Sequence, residues 1–180
     1  MYPGSLPSIH FSRKSDHAWD ATLTSPAITE SLGMAIGRNL HGGEVVMLIG
    51  DLGVGKTVFV RGLAQACGVS RETVNSPTFT LVQEYHGTPQ LMHADLYRIE
   101  KTDDLMNIGW DELFDGSRVV IVEWADRLPP AQLPHDYLTI QMTHRSRQTR
   151  SVTLTATGPV STKLCQQVIQ TFHGTDGTLS

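Results

Sequence analysis

A glycine-rich segment constrains this chain more than any other part of its sequence. The segment reads GDLGVGKT, residues 50–57, and it matches the pattern G-x-x-x-x-G-K-[ST]. An unbroken apolar run, Val45–Ile49, precedes it, and apolar residues at helical spacing follow it. The run is too short for a helix and is typical of a strand buried on both faces. Strand, glycine-rich loop and helix in this order predict a loop that holds the phosphates of a nucleotide.

The residue types of the loop suit this chemistry. Gly50, Gly53 and Gly55 permit backbone angles that turn the N–H groups of the loop toward a triphosphate. Lys56 can reach the β and γ oxygens, and the helix that begins near it directs the positive end of its dipole at the same phosphates. Thr57 is predicted to hold Mg²⁺ through its hydroxyl. The predicted nucleotide-binding residues are Gly50, Asp51, Leu52, Gly53, Val54, Gly55, Lys56 and Thr57.

Two acidic residues are candidates for the rest of the site. Residues 119–122 form a second apolar run that ends in Glu123, where a P-loop protein carries a carboxylate on the magnesium side. Asp95 ends another strand-like stretch, which we expect to lie beside the site. Each acid has a structural alternative. Glu123 would then be a plain strand-end acid, and Asp95 a cap or the ion-pair partner of Arg98.

The order of the predicted elements favours an α/β fold, a P-loop NTPase-like three-layer sandwich with a central mixed, mainly parallel sheet. Ser25 and Pro26 begin an amphipathic helix that closes at residues 41–43. The other predicted elements are a hairpin of residues 78–85 and 91–99, short helical pieces over 101–114, strands over 137–143 and 150–157, and a helix over 163–172. We predict a flexible N-terminal extension over residues 1–24, a single domain over 25–172 and a frayed tail over 173–180.

The composition argues against several classes of protein. With 39% apolar and 18% charged residues among 180, the chain can bury a core and is not of the disordered class. The formal charge of -4 is the wrong sign for a protein that coats nucleic acid. Neither a membrane-spanning run nor the apolar stretch of a signal peptide is visible, which predicts a cytoplasmic protein. Cys67 and Cys165 are expected to be small apolar residues, and the eight His lack zinc-binding spacing.

Four strings together resemble a known family. GDLGVGKT, SPTFTLVQEY, HADLYR and VVIVEWADR follow one another as in the bacterial TsaE (YjeE) family of small P-loop ATPases, and the likeness spans roughly residues 25–157. The resemblance implies a role in making threonylcarbamoyl-adenosine next to the anticodon of tRNAs that read codons beginning with adenine. It also implies ATP and Mg²⁺ as ligands, and a heterodimer of the TsaD and TsaB proteins as partner. ATP hydrolysis would be slow without these partners, and tRNA would be contacted only through the complex.

The resemblance also implies roles for single residues. The metal-binding glutamate of the family falls on Glu123, and its catalytically important aspartate falls on Asp95. Residues 76–78 fall on a nucleotide-sensing switch, in which Thr78 would sense the γ-phosphate. The predicted catalytic residues are therefore Lys56, Thr78, Asp95 and Glu123, and the predicted metal ligands are Thr57 and Glu123. The adenine contacts are expected near residues 25–26 and 144–150.

Two other functions stay open for this sequence. A small-molecule kinase has a similar length, and Arg145, Arg147 and Arg150 would form its lid. A kinase, however, needs an acceptor pocket and usually an inserted helical lid after the central strands, whereas here the strands run nearly to the end of the chain. A solvated hairpin turn is the alternative for the three arginines. The second function is a nucleotide-dependent binding switch in which hydrolysis is incidental.

Overall fold

The computed structural model describes residues 7–106 and 108–173, and this part of the chain contains one sheet flanked by helices. The strands are β1 (Phe11–Ser15), β2 (Ala18–Leu23), β3 (Val45–Ile49), β4 (Val82–Tyr85), β5 (Leu91–Asp95), β6 (Val119–Glu123), β7 (Leu138–His144) and β8 (Arg150–Ala156). The helices are α1 (Pro26–Gly37), α2 (Lys56–Ala66), α3 (Thr102–Met106) and α4 (Pro159–His173). Short 3₁₀ helices occur at 71–73, 111–114, 125–127 and 130–132.

The strand order of the sheet is β1-β2-β8-β7-β3-β6-β5-β4. The four central strands β7, β3, β6 and β5 run parallel, whereas β4 and the group β1, β2 and β8 are antiparallel to their neighbours. The mixed sheet with a parallel centre confirms the predicted α/β architecture. In such sheets ligands bind at the carboxyl ends of the parallel strands, and that edge contains the glycine-rich loop.

Helices cover both faces of the sheet and give the molecule three layers. Because side chains alternate along a strand, Val46 and Leu48 of β3 pack with α1, α2 and α4, whereas Val45 and Met47 pack with Leu105 of α3 and the segment that follows it. The apolar run of β3 is therefore buried on both faces, as the sequence predicts. None of the helices in the described part of the chain is long and apolar enough to cross a membrane.

Helices α1 and α2 touch through their backbones. A Cβ at Gly33 of α1 would lie 2.1 Å from the Phe59 carbonyl oxygen, and a Cβ at Gly62 of α2 would lie 2.0 Å from the Glu30 carbonyl oxygen. Only glycine allows this approach, which fixes the short distance between α1 and α2. The start of α1 is as predicted: Ser25 is its N-cap, and the Ser25 hydroxyl accepts a 3.3 Å bond from the Ile28 N–H.

The prediction of a flexible extension over residues 1–24 is wrong for residues 11–23. These residues form β1 and β2, and β2 pairs with β8 along its whole length. Trp19 and Leu23 of β2 are buried in the core. Strands this short are stabilised by their partners, and the partner of β2 lies more than 100 residues away, so local periodicity does not reveal it. The sheet thus extends N-terminal to the predicted start of the domain at residue 25.

Other boundaries shift by a few residues. Helix α1 ends at Gly37, before the predicted stop at residues 41–43, and α4 begins at Pro159 instead of residue 163. The predicted hairpin is confirmed as the antiparallel pair of β4 and β5, with both strands shorter than expected. Of the predicted frayed tail, residues 174–180 lie outside the described residues.

Candidate nucleotide site

The glycine-rich loop connects the end of β3 at Ile49 to the start of α2 at Lys56. Gly50, Gly53 and Gly55 have φ angles of 144°, 75° and 119°, a region that favours glycine. A Cβ at Gly50 would also lie 2.4 Å from the Met142 carbonyl oxygen of neighbouring β7. The loop therefore has the backbone conformation expected of a phosphate cradle, and α2 directs its N-terminus into it.

Lys56 lies inside the loop with 5% of its surface exposed. Its ammonium donates hydrogen bonds to the carbonyl oxygens of Gly50 at 2.5 Å and Asp51 at 3.1 Å. Burial removes water from the ammonium and lowers the pKa of Lys56, although the nearby carboxylates of Glu123 and Asp95 oppose the shift. The positive charge is thus held in the cradle by weak neutral acceptors, which an anionic ligand can outcompete.

Thr57 and Glu123 meet at the base of the loop. The Thr57 hydroxyl donates to both carboxylate oxygens of Glu123, at 3.0 and 3.3 Å. Glu123 ends β6, the strand beside β3, and is 2% exposed. A hydroxyl and a carboxylate oxygen side by side are the ligand types that Mg²⁺ prefers. The residues present therefore fit a magnesium ion.

Asp95 ends β5 directly opposite Glu123 in the strand register and is 1% exposed. Its Oδ2 accepts hydrogen bonds from the hydroxyls of Ser76 and Thr78, the latter at 2.8 Å. Its Oδ1 accepts a 2.9 Å bond from the Tyr97 N–H. One oxygen thus caps the following turn, and the other holds the segment of residues 76–78 against the end of β5.

Arg98 is not the ion-pair partner that was the alternative for Asp95. Its guanidinium carbon lies 4.4 Å from the centroid of the Phe79 ring, which is exposed. Within residues 7–106 and 108–173, no ion pair joins Arg98 to Asp95. Of the two structural readings of Asp95, the ion pair is therefore wrong and the cap is present.

Arg150 supports the loop from the hairpin of β7 and β8. Its Nε donates a 2.8 Å hydrogen bond to the carbonyl oxygen of Val54, and its Nη1 donates to the carbonyl oxygens of Ser146 and Arg147. These bonds through Nε and Nη1 hold the guanidinium against the loop and the turn, which is a supporting position and not that of a mobile lid. Sequence reasoning missed this contact, because nothing local links a hairpin turn to a loop 96 residues earlier.

The predicted catalytic side chains converge on one cavity of about 350 Å³. Lys56, Thr57, Thr78, Asp95 and Glu123 all line it. Three other loop residues, Leu52, Gly53 and Gly55, also line the cavity. Gly50 and Asp51 contact Lys56 through their carbonyl oxygens. Val54 is buried, and its carbonyl oxygen accepts the bond from Arg150. Tyr97 and Trp124 complete the wall.

A second cleft, of about 520 Å³, lies where the adenine contacts were expected. Thr24 and Ile28 line it at the start of α1, and Arg145 lines it from the β7–β8 turn. The fold thus brings together the two segments that the resemblance indicates, although they are more than 100 residues apart in sequence.

His93 is a site residue that sequence reasoning missed. It is fully buried in β5, and its Nε2 lies 3.0 Å from Glu123 Oε1. Its Nδ1 lies 3.4 Å from the Tyr85 hydroxyl. A signal was present, because His93 precedes Asp95 by two residues and must share its face of the strand. A histidine that shares one face of a strand with a candidate site acid is itself a candidate for contact with the site.

Comparisons with known proteins find similar proteins that cover most of the chain. The family model described as "Threonylcarbamoyl adenosine biosynthesis protein TsaE" matches residues 23–152. The chain is 39% identical to the tRNA threonylcarbamoyladenosine biosynthesis protein TsaE of Bacillus subtilis, over 80% of this chain and 89% of that protein. It is 40% identical to the protein of the same name from Treponema pallidum, over 70% of this chain and 92% of that one. The crystal structure of B. subtilis YdiB superposes with a TM-score of 0.71 at 31% identity, and covers 85% of this chain and 95% of YdiB.

Proposed function

The chain belongs to the TsaE family, and on that basis we propose that it binds and hydrolyses ATP with Mg²⁺ in support of tRNA threonylcarbamoyladenosine biosynthesis. The relatives that cover most of the chain are proteins of this pathway. Membership therefore supports the biological role, whereas the proposed chemistry rests on the site.

One observation carries the proposed chemistry: the Thr57 hydroxyl lies 3.0 Å from the Glu123 carboxylate at the base of the phosphate loop. An alcohol on the P-loop helix and an acid on the neighbouring strand are the two protein ligands of magnesium in P-loop enzymes. When bound, Mg²⁺ would neutralise charge on the β and γ phosphates. Thr57 and Glu123 would hold it there.

Lys56 and the loop backbone would bind the phosphates. A triphosphate offers charged acceptors in place of the carbonyl oxygens of Gly50 and Asp51, so the ammonium would turn from the loop to the β and γ oxygens. The N–H groups at the start of α2 would add donors aimed at the same oxygens. These contacts would strengthen as charge shifts during phosphoryl transfer, which is how such a site accelerates hydrolysis.

Asp95 and Thr78 would connect hydrolysis to the shape of the site. In the structure, the Thr78 hydroxyl bonds to Asp95. A γ-phosphate in the cavity would compete for that hydroxyl, because a phosphate oxygen is also a charged acceptor. Loss of the Thr78 bond would leave an accepting position on Asp95 Oδ2 for the attacking water, while the Ser76 hydroxyl keeps its bond to the same oxygen. Residues 76–78 would thereby report whether ATP or ADP is bound.

The remaining assignments follow from the resemblance to the family. We expect the adenine in the cleft that Thr24, Ile28 and Arg145 line. We expect the TsaD–TsaB heterodimer as partner and tRNA contact only through that complex. A cytoplasmic location stays a prediction.

The decisive test is release of inorganic phosphate from ATP, measured for this protein alone and after addition of TsaD and TsaB. We expect slow hydrolysis alone, stimulation by the partners, and loss of both in Lys56→Ala. Lys163→Ala removes an exposed lysine of α4 and is the matched control. Turnover of Lys56→Ala equal to wild type would reject the assignment of the loop.

Two further measurements separate the two alternative functions. A kinase would move the γ-phosphate to a small acceptor, so labelled phosphate on a metabolite would overturn the ATPase proposal. A binding switch would support repeated rounds of tRNA modification with ATP bound and hydrolysis blocked. The observation that favours a binding switch is the pair of contacts from Ser76 and Thr78 to Asp95, which bound nucleotide would rearrange.

A further inference from the structure

A continuous series of polar contacts joins the segment of residues 75–78 to Glu123 through the interior of the protein. The Tyr85 hydroxyl donates a 3.1 Å hydrogen bond to the carbonyl oxygen of Asn75. His93 Nδ1 lies 3.4 Å from the same hydroxyl, and His93 Nε2 lies 3.0 Å from Glu123 Oε1. Asn75 directly precedes Ser76, whose hydroxyl bonds to Asp95.

The series is buried throughout. Tyr85, His93 and Glu123 are 3%, 0% and 2% exposed, so water does not compete for their polar atoms. Buried polar groups are held by the partners they find, and loss of one partner is costly. The orientation of the Glu123 carboxylate is therefore set by Thr57 and His93, which both contact its Oε1.

The Tyr85 proton has two competing acceptors. His93 Nε2 faces a carboxylate and so carries a proton, which in the neutral ring leaves Nδ1 as an acceptor. Burial raises the pKa of Tyr85, so its hydroxyl keeps its single proton as a donor. That proton can go to the Asn75 carbonyl oxygen or to His93 Nδ1, but not fully to both. The choice depends on where the Asn75 carbonyl lies.

We propose that Tyr85 and His93 are positioning residues that couple the segment of residues 75–78 to Glu123, and through Glu123 to magnesium binding. This inference rests on the proposed function. When nucleotide draws Thr78 away from Asp95, the Asn75 carbonyl moves with its segment, and the Tyr85 hydroxyl turns to His93 Nδ1. The imidazole is then fixed at both nitrogens and holds the Glu123 carboxylate in one orientation. Magnesium binding and the state of residues 75–78 thereby become mutually dependent.

Tyr85→Phe tests the coupling with the smallest change, because it removes the hydroxyl and keeps the ring that packs against His93. We expect the Mg²⁺ concentration for half-maximal ATP hydrolysis to rise about five- to tenfold, the lower end of the range typical of allosteric coupling. Affinity for a non-hydrolysable ATP analogue, measured by calorimetry, should stay near wild type without Mg²⁺ and gain less when Mg²⁺ is added. His93→Gln keeps a donor toward Glu123 but has no Nδ1, so it should behave like Tyr85→Phe.

A double-mutant cycle then decides whether Tyr85 acts through Glu123. In the Glu123→Gln background, Tyr85→Phe should leave the Mg²⁺ dependence unchanged, and additive effects would overturn the proposal. Tyr137→Phe is the matched control, because this tyrosine lies just before β7, an interior strand that β3 and β6 separate from β5.

Failure of this inference is distinguishable from failure of the proposed function. If the wild-type protein neither binds nor hydrolyses ATP, the proposed function fails. If wild type requires Mg²⁺ normally and Tyr85→Phe has the same requirement, only the coupling is wrong. A lower melting temperature of Tyr85→Phe with unchanged Mg²⁺ dependence would show that the hydroxyl is structural, and would also overturn the coupling.

Discussion

The ammonium of Lys56 lies 3.7 Å from the centroid of the Trp124 ring. Trp124 has a φ of 60° directly after β6, so this non-glycine residue adopts a left-handed conformation that places its ring over the loop. A cation over an aromatic face is stabilised, more so where water is excluded. Lys56 is therefore held between the ring and the carbonyl oxygens of its own loop.

Binding of a triphosphate should draw Lys56 away from Trp124 and change the fluorescence of this tryptophan. The chain has three tryptophans, and Trp19 and Trp110 lie away from the cavity. We expect ATP to alter the emission of wild-type protein and of Trp110→Phe. The response should be lost in Trp124→Phe. An undiminished response in Trp124→Phe would show that the Lys56–Trp124 contact does not report nucleotide binding.

Glu123→Gln should raise the Mg²⁺ requirement of ATP hydrolysis. The substitution keeps the shape of the side chain and removes the charge that attracts the ion, so we expect a shift of about tenfold or more. The measurement is a magnesium titration at saturating ATP, with Glu112→Gln, at an exposed position, as control. Superimposable titrations of Glu123→Gln and wild type would leave Glu123 as a plain strand-end acid.

Asp95→Asn should affect turnover more than nucleotide binding. A carboxylate near the γ-phosphate repels it in the ground state, so its contribution lies in orienting water or holding Thr78. We expect ADP affinity within a few-fold of wild type and partner-stimulated turnover lower by about tenfold or more. Asp103→Asn on the surface of α3 is the control. A destabilised variant with full turnover per folded molecule would remove Asp95 from the catalytic residues.

Arg150→Met should weaken nucleotide binding although Arg150 does not line the catalytic cavity. Its bond to the Val54 carbonyl fixes the loop in the conformation that binds phosphate, and a loop that must be ordered on binding loses affinity. We expect a loss of about three- to tenfold in ADP affinity, measured by calorimetry. Arg147→Met, in the same turn, should bind normally, and equal losses in both variants would point to general electrostatic attraction instead.

The two cysteines should be inert in the native protein. Burial raises the pKa of Cys67 to about 11 and that of Cys165 to about 12, from an ordinary value of 9.0. A thiol reagent at pH 8 should therefore label neither until the chain unfolds. Because the unfolded state ionises first, these thiols should make stability fall as pH rises above 9.0 toward 11. The decline should be smaller in Cys67→Ala, and rapid labelling of native protein would contradict the burial.

The local sequence determined the phosphate loop and what flanks it. Val45–Ile49, the three loop glycines and the helical spacing after Lys56 specify strand, turn and helix through short-range chemistry. The strand-end acids were predictable for a similar reason, because the carboxyl ends of parallel strands meet at one edge of a sheet. For these parts, each residue needs only its near neighbours to adopt its structure.

Tertiary structure decided everything that depends on partners distant in sequence. Strands β1 and β2 exist because β8 lies beside them, and a flexible extension was the wrong expectation. The bond from Arg150 to Val54 and the contact of His93 with Glu123 join segments 96 and 30 residues apart. A side chain such as His93 reads locally as one more buried strand residue. Its chemical role depends on the atoms that the folded sheet places next to its two ring nitrogens. The local sequence pattern does not specify those neighbours, because they come from distant segments of the chain.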